Sequence, residues 1–89
     1  MDSYRVPHGV LVQEVLSETV LLDTERGLFF ELNSMGTEIF RMLTNGDKPQ
    51  DIVQQLLPTY EVDEIELGHD INTLITELQD KGLLLVETC

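Results

Sequence analysis

Few residues in this chain of 89 could do acid–base, nucleophilic or metal chemistry at a useful spacing. The two histidines, His8 and His69, share no ligand spacing, and His69 falls roughly 180–200° from the centre of the apolar stripe of a predicted helix. The single cysteine, Cys89, is the last residue, where neither a fixed base nor an oxyanion site is expected. These residue types therefore predict two solvated histidines and a free thiol.

An acidic cluster invites a metal-binding hypothesis; it consists of Asp63, Glu64, Glu66 and Asp70. The cluster lacks the alternating ligands and the central glycine of a calcium loop, and helix capping with a solvated helix face explains it. The six glycines are isolated, so no phosphate-cradling loop is present. The sequence thus predicts no catalytic residues, no metal site and no cofactor, which argues against an enzyme that acts alone.

The charge balance restricts the partners of the chain. Five Lys and Arg against 17 Asp and Glu give a net charge of −12, and such a surface repels phosphate, so nucleic acid and anionic membrane are poor partners. The longest apolar run, Leu83–Val86, is too short for a membrane span or a signal peptide. With 42% hydrophobic residues and one cysteine, residues 1–89 are expected to form a single acidic, soluble, cytoplasmic domain.

The first third of the chain has the composition of strands. Leu28, Phe30 and Leu32 alternate with Phe29 and Glu31, which is the period of a half-buried strand. Short turns between consecutive strands predict an antiparallel meander whose third strand lies at an edge. We expect a flexible segment at 1–7 and strands at 8–16, 19–23 and 28–32.

The rest of the chain has the pattern of three helices. Asn33 or Ser34 can cap the first helix, the second is expected to start near Lys48 and to stop before Pro58, and Asp63 opens the third. After the third helix, residues 83–86 either form a short strand or pack under the core. Strands followed by helices predict an α+β fold that is winged helix-turn-helix-like, with a three-stranded antiparallel sheet as the wing.

A helix-turn-helix suggests DNA binding, but the charges oppose it. The helix that would enter the groove carries one lysine, Lys81, and five acidic residues: Glu64, Glu66, Asp70, Glu77 and Asp80. Binding DNA normally means neutralising several phosphates with Lys and Arg, so the charges argue against this function.

The open edge of the third strand favours a peptide ligand instead. An unpaired strand edge is a template for a further strand, and the third helix can cover one side of it to form a groove. The alternative is a plain edge strand that Glu31 protects from pairing, with Phe29 and Phe30 simply in the core. The pattern alone does not separate these two interpretations.

The sequence resembles the PqqD-like family, also called RiPP recognition elements, from about Val10 to Leu84. The order and spacing of several short segments carry the resemblance, and Lys48 departs from it where the family often has a capping Ser or Thr. The matching segments are the hairpin 21–33 with its Leu32-Asn33 ending, Gly36–Phe40, Leu43, Asn45-Gly46, Asp51–Val53, Leu56, Tyr60–Val62, Asp70-Ile71, Leu74-Ile75, Leu78 and Gly82–Leu84.

This resemblance implies a non-catalytic module that binds the leader segment of a ribosomally made precursor peptide and presents the precursor to a separate modifying or protease enzyme. The leader would add as an antiparallel strand to the third strand, against the third helix. The implied contacts are Leu28, Phe29, Phe30 and Glu31 on the strand, and Leu67, Asp70, Ile71 and Leu74 on the helix.

The Leu32-Asn33 ending and the short length look like the leader-binding partner of lasso-peptide pathways, in which a separate cysteine protease removes the leader. The alternative within the family is the peptide chaperone of pyrroloquinoline quinone biosynthesis, which serves a radical enzyme. That branch usually has a proline before the hairpin glutamate, where this chain has Thr24. An acidic adaptor that binds a folded protein is a third alternative, from a different functional class.

Overall fold

The computed structural model describes residues 2–88, and its main sheet is the predicted meander. Its eight elements are β1 (Asp2–Arg5), β2 (Val10–Val15), β3 (Glu18–Asp23), β4 (Leu28–Leu32), α1 (Ser34–Thr44), α2 (Pro49–Leu56), α3 (Glu64–Asp80) and β5 (Leu85–Thr88). Strands β2, β3 and β4 pair antiparallel in that order, so β4 lies at an edge as predicted.

Two tight turns hold the meander together. The β2–β3 turn consists of Leu16 and Ser17, one residue earlier than predicted, because Glu18 pairs with Val15. Leu16 has φ 60°, and a positive φ at the first of two loop residues is the geometry of a type II′ turn. The β3–β4 turn ends at Gly27, whose φ of 68° suits a residue without Cβ.

The three helices begin at the expected caps. The Asn33 side chain accepts a hydrogen bond from the Gly36 backbone N–H at 2.8 Å, and that of Asp63 accepts one from the Ile65 N–H at 2.7 Å. Lys48 makes no side-chain cap bond, and Pro49 occupies the first turn of α2 instead. The core lies between the helices and the inner face of the sheet, where Leu21, Leu43, Ile52 and Leu78 are fully buried.

The segment 1–7 differs from the flexible start that we predicted. Residues Asp2–Arg5 form β1, which pairs antiparallel with β5 in a separate two-stranded sheet. Tyr4 joins the core with 9% of its surface exposed, and Leu83 and Leu84 are buried just before β5. This pairing joins segments about 80 residues apart, so no local periodicity predicts it. The predicted thiol of Cys89 lies outside the described residues.

Candidate peptide-binding site

The free edge of the main sheet is the edge of β4 that does not pair with β3. The hydrogen-bond pattern between the strands determines which backbone N–H and C=O groups point away from the sheet at this edge. The Thr24 N–H donates to the Gly9 carbonyl at 3.0 Å, so the adjacent pair Val10–Asp23 is a non-hydrogen-bonded pair between β2 and β3. Asp23 therefore directs its own N–H and C=O at β4, and every second residue along β3 does the same.

The register then fixes the two sets of residues in β4. Three residues of β4 lie opposite these residues of β3: Leu28 opposite Asp23, Phe30 opposite Leu21, and Leu32 opposite Thr19. The N–H and C=O groups of these three β4 residues therefore hydrogen-bond to β3. The intervening residues, Phe29 and Glu31, direct their N–H and C=O groups away from the sheet. The sequence left this choice open, and the register settles it.

The two aromatic side chains of β4 lie on opposite faces of the sheet. Phe29 is 65% exposed on the outer face, away from the helices. Phe30 is half-buried on the inner face, and the Lys81 ammonium lies 5.7 Å from the centre of its ring, which is cation–π range. The alternative of two core aromatics is therefore wrong for Phe29.

The end of α3 lies beside the inner face of β4, because Lys81, which follows the helix, contacts the ring of Phe30. Asp70, Leu74, Glu77 and Lys81 follow one another at helical spacing and therefore share one side of the helix. Leu74 is half-buried, whereas Asp70 and Glu77 are exposed. The sequence indicates Lys81 only as the single lysine of the third helix; its position seven residues after Leu74 is the pattern that places it on the same side as Leu74.

Two of the helix contacts implied by the resemblance are corrected. Leu67 and Ile71 each have 0% of their surface exposed and belong to the hydrophobic core. A docked peptide cannot touch a side chain that has no accessible surface, so these two residues hold α3 against the core, and Asp70 and Leu74 are the predicted helix contacts that stay accessible. On the strand, Leu28, Phe29 and Glu31 are exposed.

The β3–β4 turn is fixed to the end of α3. This contact closes one end of the predicted cleft, which is the space between β4 and α3. Asp23 accepts hydrogen bonds from the backbone N–H groups of Glu25 and Arg26 at 3.0 and 3.1 Å, and from Arg26 Nε at 2.7 Å. The guanidinium of Arg26 lowers the pKa of Asp23 from its ordinary value and also donates to the Lys81 carbonyl.

Gly82 leaves room for that contact. It has φ 71°, and a Cβ there would lie 2.6 Å from Arg26 Nη2. The closed end of the cleft therefore carries Arg26 and Lys81, while the exposed carboxylates of Asp70 and Glu77 make the helix side of its open part acidic.

Other candidate sites carry no chemistry of their own. His69 is exposed, and no group of three or more His, Cys, Asp or Glu side chains within residues 2–88 is placed to hold a metal ion. A shallow groove lined by Pro49, Val53, Ile65 and Gly68 separates α2 from α3 on the other side of the third helix.

In the part of the chain that the structure describes, no helix combines the length and apolar character needed to cross a membrane.

At the open edge of β4, two residues direct their backbone N–H and C=O groups away from the sheet, and α3 carries Leu74 and the acidic Asp70 on one side. These features define a class of protein: a small domain that can bind an extended peptide by strand addition. A family model described as coenzyme PQQ synthesis protein D (PqqD) matches residues 18–84. The chain belongs to the PqqD family, and no curated protein matches it.

Two solved structures share the fold over nearly the whole chain. One is described as lasso peptide synthetase B1 complexed with the leader peptide; it is 31% identical, has a TM-score of 0.87, and the match covers 93% of this chain and 98% of that chain. The other is described as TbiB1 in complex with the TbiA(beta) leader peptide, with 29% identity, a TM-score of 0.81, and coverage of 90% and 93%.

Proposed function

We propose that this domain binds the leader segment of a ribosomally synthesised precursor peptide as an antiparallel strand along β4 and brings the precursor to a separate enzyme. The observation that carries the proposal is the free pair of outward backbone groups at Phe29 and Glu31, beside Asp70 and Leu74 of α3. Main-chain hydrogen bonds supply affinity in this mode of recognition, and side-chain contacts supply specificity. The two similar structures that hold leader peptides support the same conclusion.

A lasso-peptide pathway is the better candidate for the source of the leader. Both leader-bound structures support it, one of them through the lasso peptide synthetase in its description. The family model is described by coenzyme PQQ synthesis, so chaperoning a precursor for that pathway is the second candidate. Under the first candidate the separate enzyme is a cysteine protease that removes the leader; under the second it is a radical enzyme.

A titration tests leader recognition against the acidic adaptor. A fluorescent leader from the precursor gene adjacent to the gene for this chain is titrated with the protein and compared with a scrambled leader of the same composition. We expect saturable binding of the native order that is at least about tenfold tighter than the scrambled control. Equal binding of both peptides would refute leader recognition and would favour the acidic adaptor.

The protein is expected to have no catalytic activity of its own, because the sequence predicts no catalytic residues and no group of three or more His, Cys, Asp or Glu within the described residues is placed to hold a metal ion. Purified protein incubated with full-length precursor should leave the mass of the precursor unchanged by mass spectrometry. Addition of the leader-cleaving or modifying enzyme should then produce the mass change. A change with this protein alone would contradict the proposal.

Salt should act on the association of the leader more than on its release. The net charge of −12 attracts a leader that carries Lys or Arg over long range, and physiological salt shortens that reach to about 8 Å. We therefore expect the association rate constant to fall between low and high salt while the dissociation rate constant changes less. Stopped-flow fluorescence measures both; a flat association rate would show that steering is unimportant.

A further inference from the structure

The closed end of the cleft brings together two of the five Lys and Arg residues of a chain whose net charge is −12. Arg26 belongs to the β3–β4 turn and Lys81 follows α3, and the Arg26 guanidinium donates a hydrogen bond to the Lys81 carbonyl. Two cations side by side on so acidic a chain make this end an exception to the surrounding negative field.

The Lys81 ammonium has no carboxylate partner in the part of the chain that the structure describes. The cations that form ion pairs within residues 2–88 are Arg5, Arg26 and Arg41. Glu77 precedes Lys81 by four residues, which is a favourable spacing for an ion pair along a helix, yet the ammonium lies over the ring of Phe30 instead. An ammonium carries three N–H donors, so Lys81 can still bind an anion that enters the cleft.

Arg26 holds the closed end in place and adds little net charge to it. Its Nε lies 2.7 Å from Asp23 Oδ2, so the guanidinium and this carboxylate form an ion pair that is close to neutral. Its bond to the Lys81 carbonyl fixes the backbone from which the Lys81 side chain extends. Lys81 therefore supplies the net positive charge of the closed end, and Arg26 is a positioning residue.

The direction of strand addition determines which part of the leader reaches this end. A leader antiparallel to β4 begins beside Leu32 and passes Leu28 with its C-terminal part. Leader residues opposite Leu28 and Phe30 direct their side chains to the inner face, because cross-strand neighbours share a face. Neighbouring Cβ atoms on one face are about 5 Å apart when directly opposite and about 7–8 Å apart on the diagonal, so an Asp or Glu at either position is within reach of the ammonium over Phe30.

We propose that Lys81 is a carboxylate-binding residue of the cleft and takes an Asp or Glu side chain of the leader at one of the two inner-facing positions opposite Leu28 and Phe30. This inference rests on the proposed function and names the chemistry of one leader residue. The ammonium donates a charge-assisted hydrogen bond to the carboxylate.

This pair also determines the direction and the register of the bound leader. A parallel strand would bring its C-terminal part to the other end of β4, beside Leu32 and away from Lys81. A register shift would move the leader carboxylate along a domain whose net charge is −12, which disfavours it elsewhere. A single acidic residue of the leader therefore selects one of several possible strand alignments.

The test combines variants of the protein with variants of the leader. Lys81→Met removes the ammonium and keeps an unbranched side chain that can lie against Phe30, whereas Lys81→Arg keeps the charge. Lys48→Met is the matched control, because Lys48 is the only other lysine and lies at the start of α2 without a side-chain cap bond. The fluorescent native leader is titrated with each protein, and the melting temperature of each protein is measured. Leaders in which each Asp or Glu is changed singly to Asn or Gln are titrated with the parent and with Lys81→Met.

We expect Lys81→Met to bind the native leader about five- to tenfold more weakly than the parent, and Lys48→Met and Lys81→Arg to bind it within about threefold. One leader with a carboxylate changed to an amide should lose the same factor with the parent and nothing further with Lys81→Met. This non-additivity is the signature of a direct pair in a double-mutant cycle.

The outcomes distinguish this inference from the proposed function. A parent that fails to bind the native leader would overturn the proposed function itself. A parent that binds leader while Lys81→Met binds it equally well would overturn this inference alone. A loss with Lys81→Met that no amide variant of the leader reproduces would assign Lys81 to packing on Phe30 and overturn the carboxylate. The leader series with the parent requires no protein variant: if no single amide weakens binding by more than about twofold, the inference is wrong whatever the stability of Lys81→Met.

Discussion

Glu31→Pro is expected to leave the domain folded and to weaken leader binding by roughly five- to 150-fold, because it removes an outward backbone donor. The Glu31 N–H points away from β3, so proline costs the sheet no ladder bond, and proline is tolerated on edge strands in this orientation. The leader carbonyl that would pair with that N–H is left unsatisfied, at a cost of about 1–3 kcal/mol. Leader titration and thermal melting measure the two effects.

Phe30→Pro should give the opposite result. Its N–H faces Leu21 across the ladder, and Leu21 is fully buried, so proline leaves a buried carbonyl without a partner. A loss of about 2 kcal/mol corresponds to a fall of roughly 10 °C in the melting temperature of a domain of this size. The same thermal melting and leader titration are applied to this variant.

Two alanine variants separate the backbone effect from the side-chain effects. Glu31→Ala removes the carboxylate and keeps the N–H, so it should bind leader better than Glu31→Pro. Phe30→Ala removes the ring beside Lys81 and keeps the ladder bond, so it should be more stable than Phe30→Pro. If both proline variants are folded and bind leader like the parent, strand addition at β4 is wrong.

The features that the sequence predicted correctly depend on local chemistry. Asn33 and Asp63 cap their helices because a short acceptor side chain reaches an N–H two or three residues later. Gly27 ends the β3–β4 turn because its backbone takes a positive φ without strain. Such signals require no knowledge of the rest of the chain.

The features that the sequence missed depend on distant contacts. The pairing of Asp2–Arg5 with Leu85–Thr88 leaves no periodic pattern in either segment. Leu67 and Ile71 show the same helical spacing as Leu74, yet packing buries the first two completely and leaves Leu74 at the margin. The Thr24–Gly9 hydrogen bond determines which residues of β4 direct their backbone groups away from the sheet, and no residue type in the sequence predicts that bond. The resemblance therefore predicted the cleft, and the register identified the backbone groups of β4 that point away from the sheet.

Leu74→Ala and Asp70→Ala test the helix side of the cleft. Leu74 is half-buried on the side of α3 that leads to Lys81, which contacts Phe30, so truncation should weaken leader binding by about 1–3 kcal/mol, the range of an interface anchor. Some loss of stability should accompany it, because a buried Leu→Ala change usually costs about 2–5 kcal/mol and Leu74 is only partly buried. Leader titration and thermal melting give both quantities.

Asp70→Ala is the cleaner probe, because Asp70 is a polar residue that is exposed, so its truncation should remove little core packing. We expect it to weaken binding of a leader that carries Lys or Arg while the melting temperature stays close to that of the parent. Asp80→Ala is the matched control: it removes the same charge from the same helix, but ten residues further on and about 80° around the helix axis from Asp70. A general effect of net charge would weaken both variants equally, whereas a contact in the cleft would weaken Asp70→Ala alone. If Leu74→Ala and Asp70→Ala both bind leader like the parent, the peptide lies elsewhere than between β4 and α3.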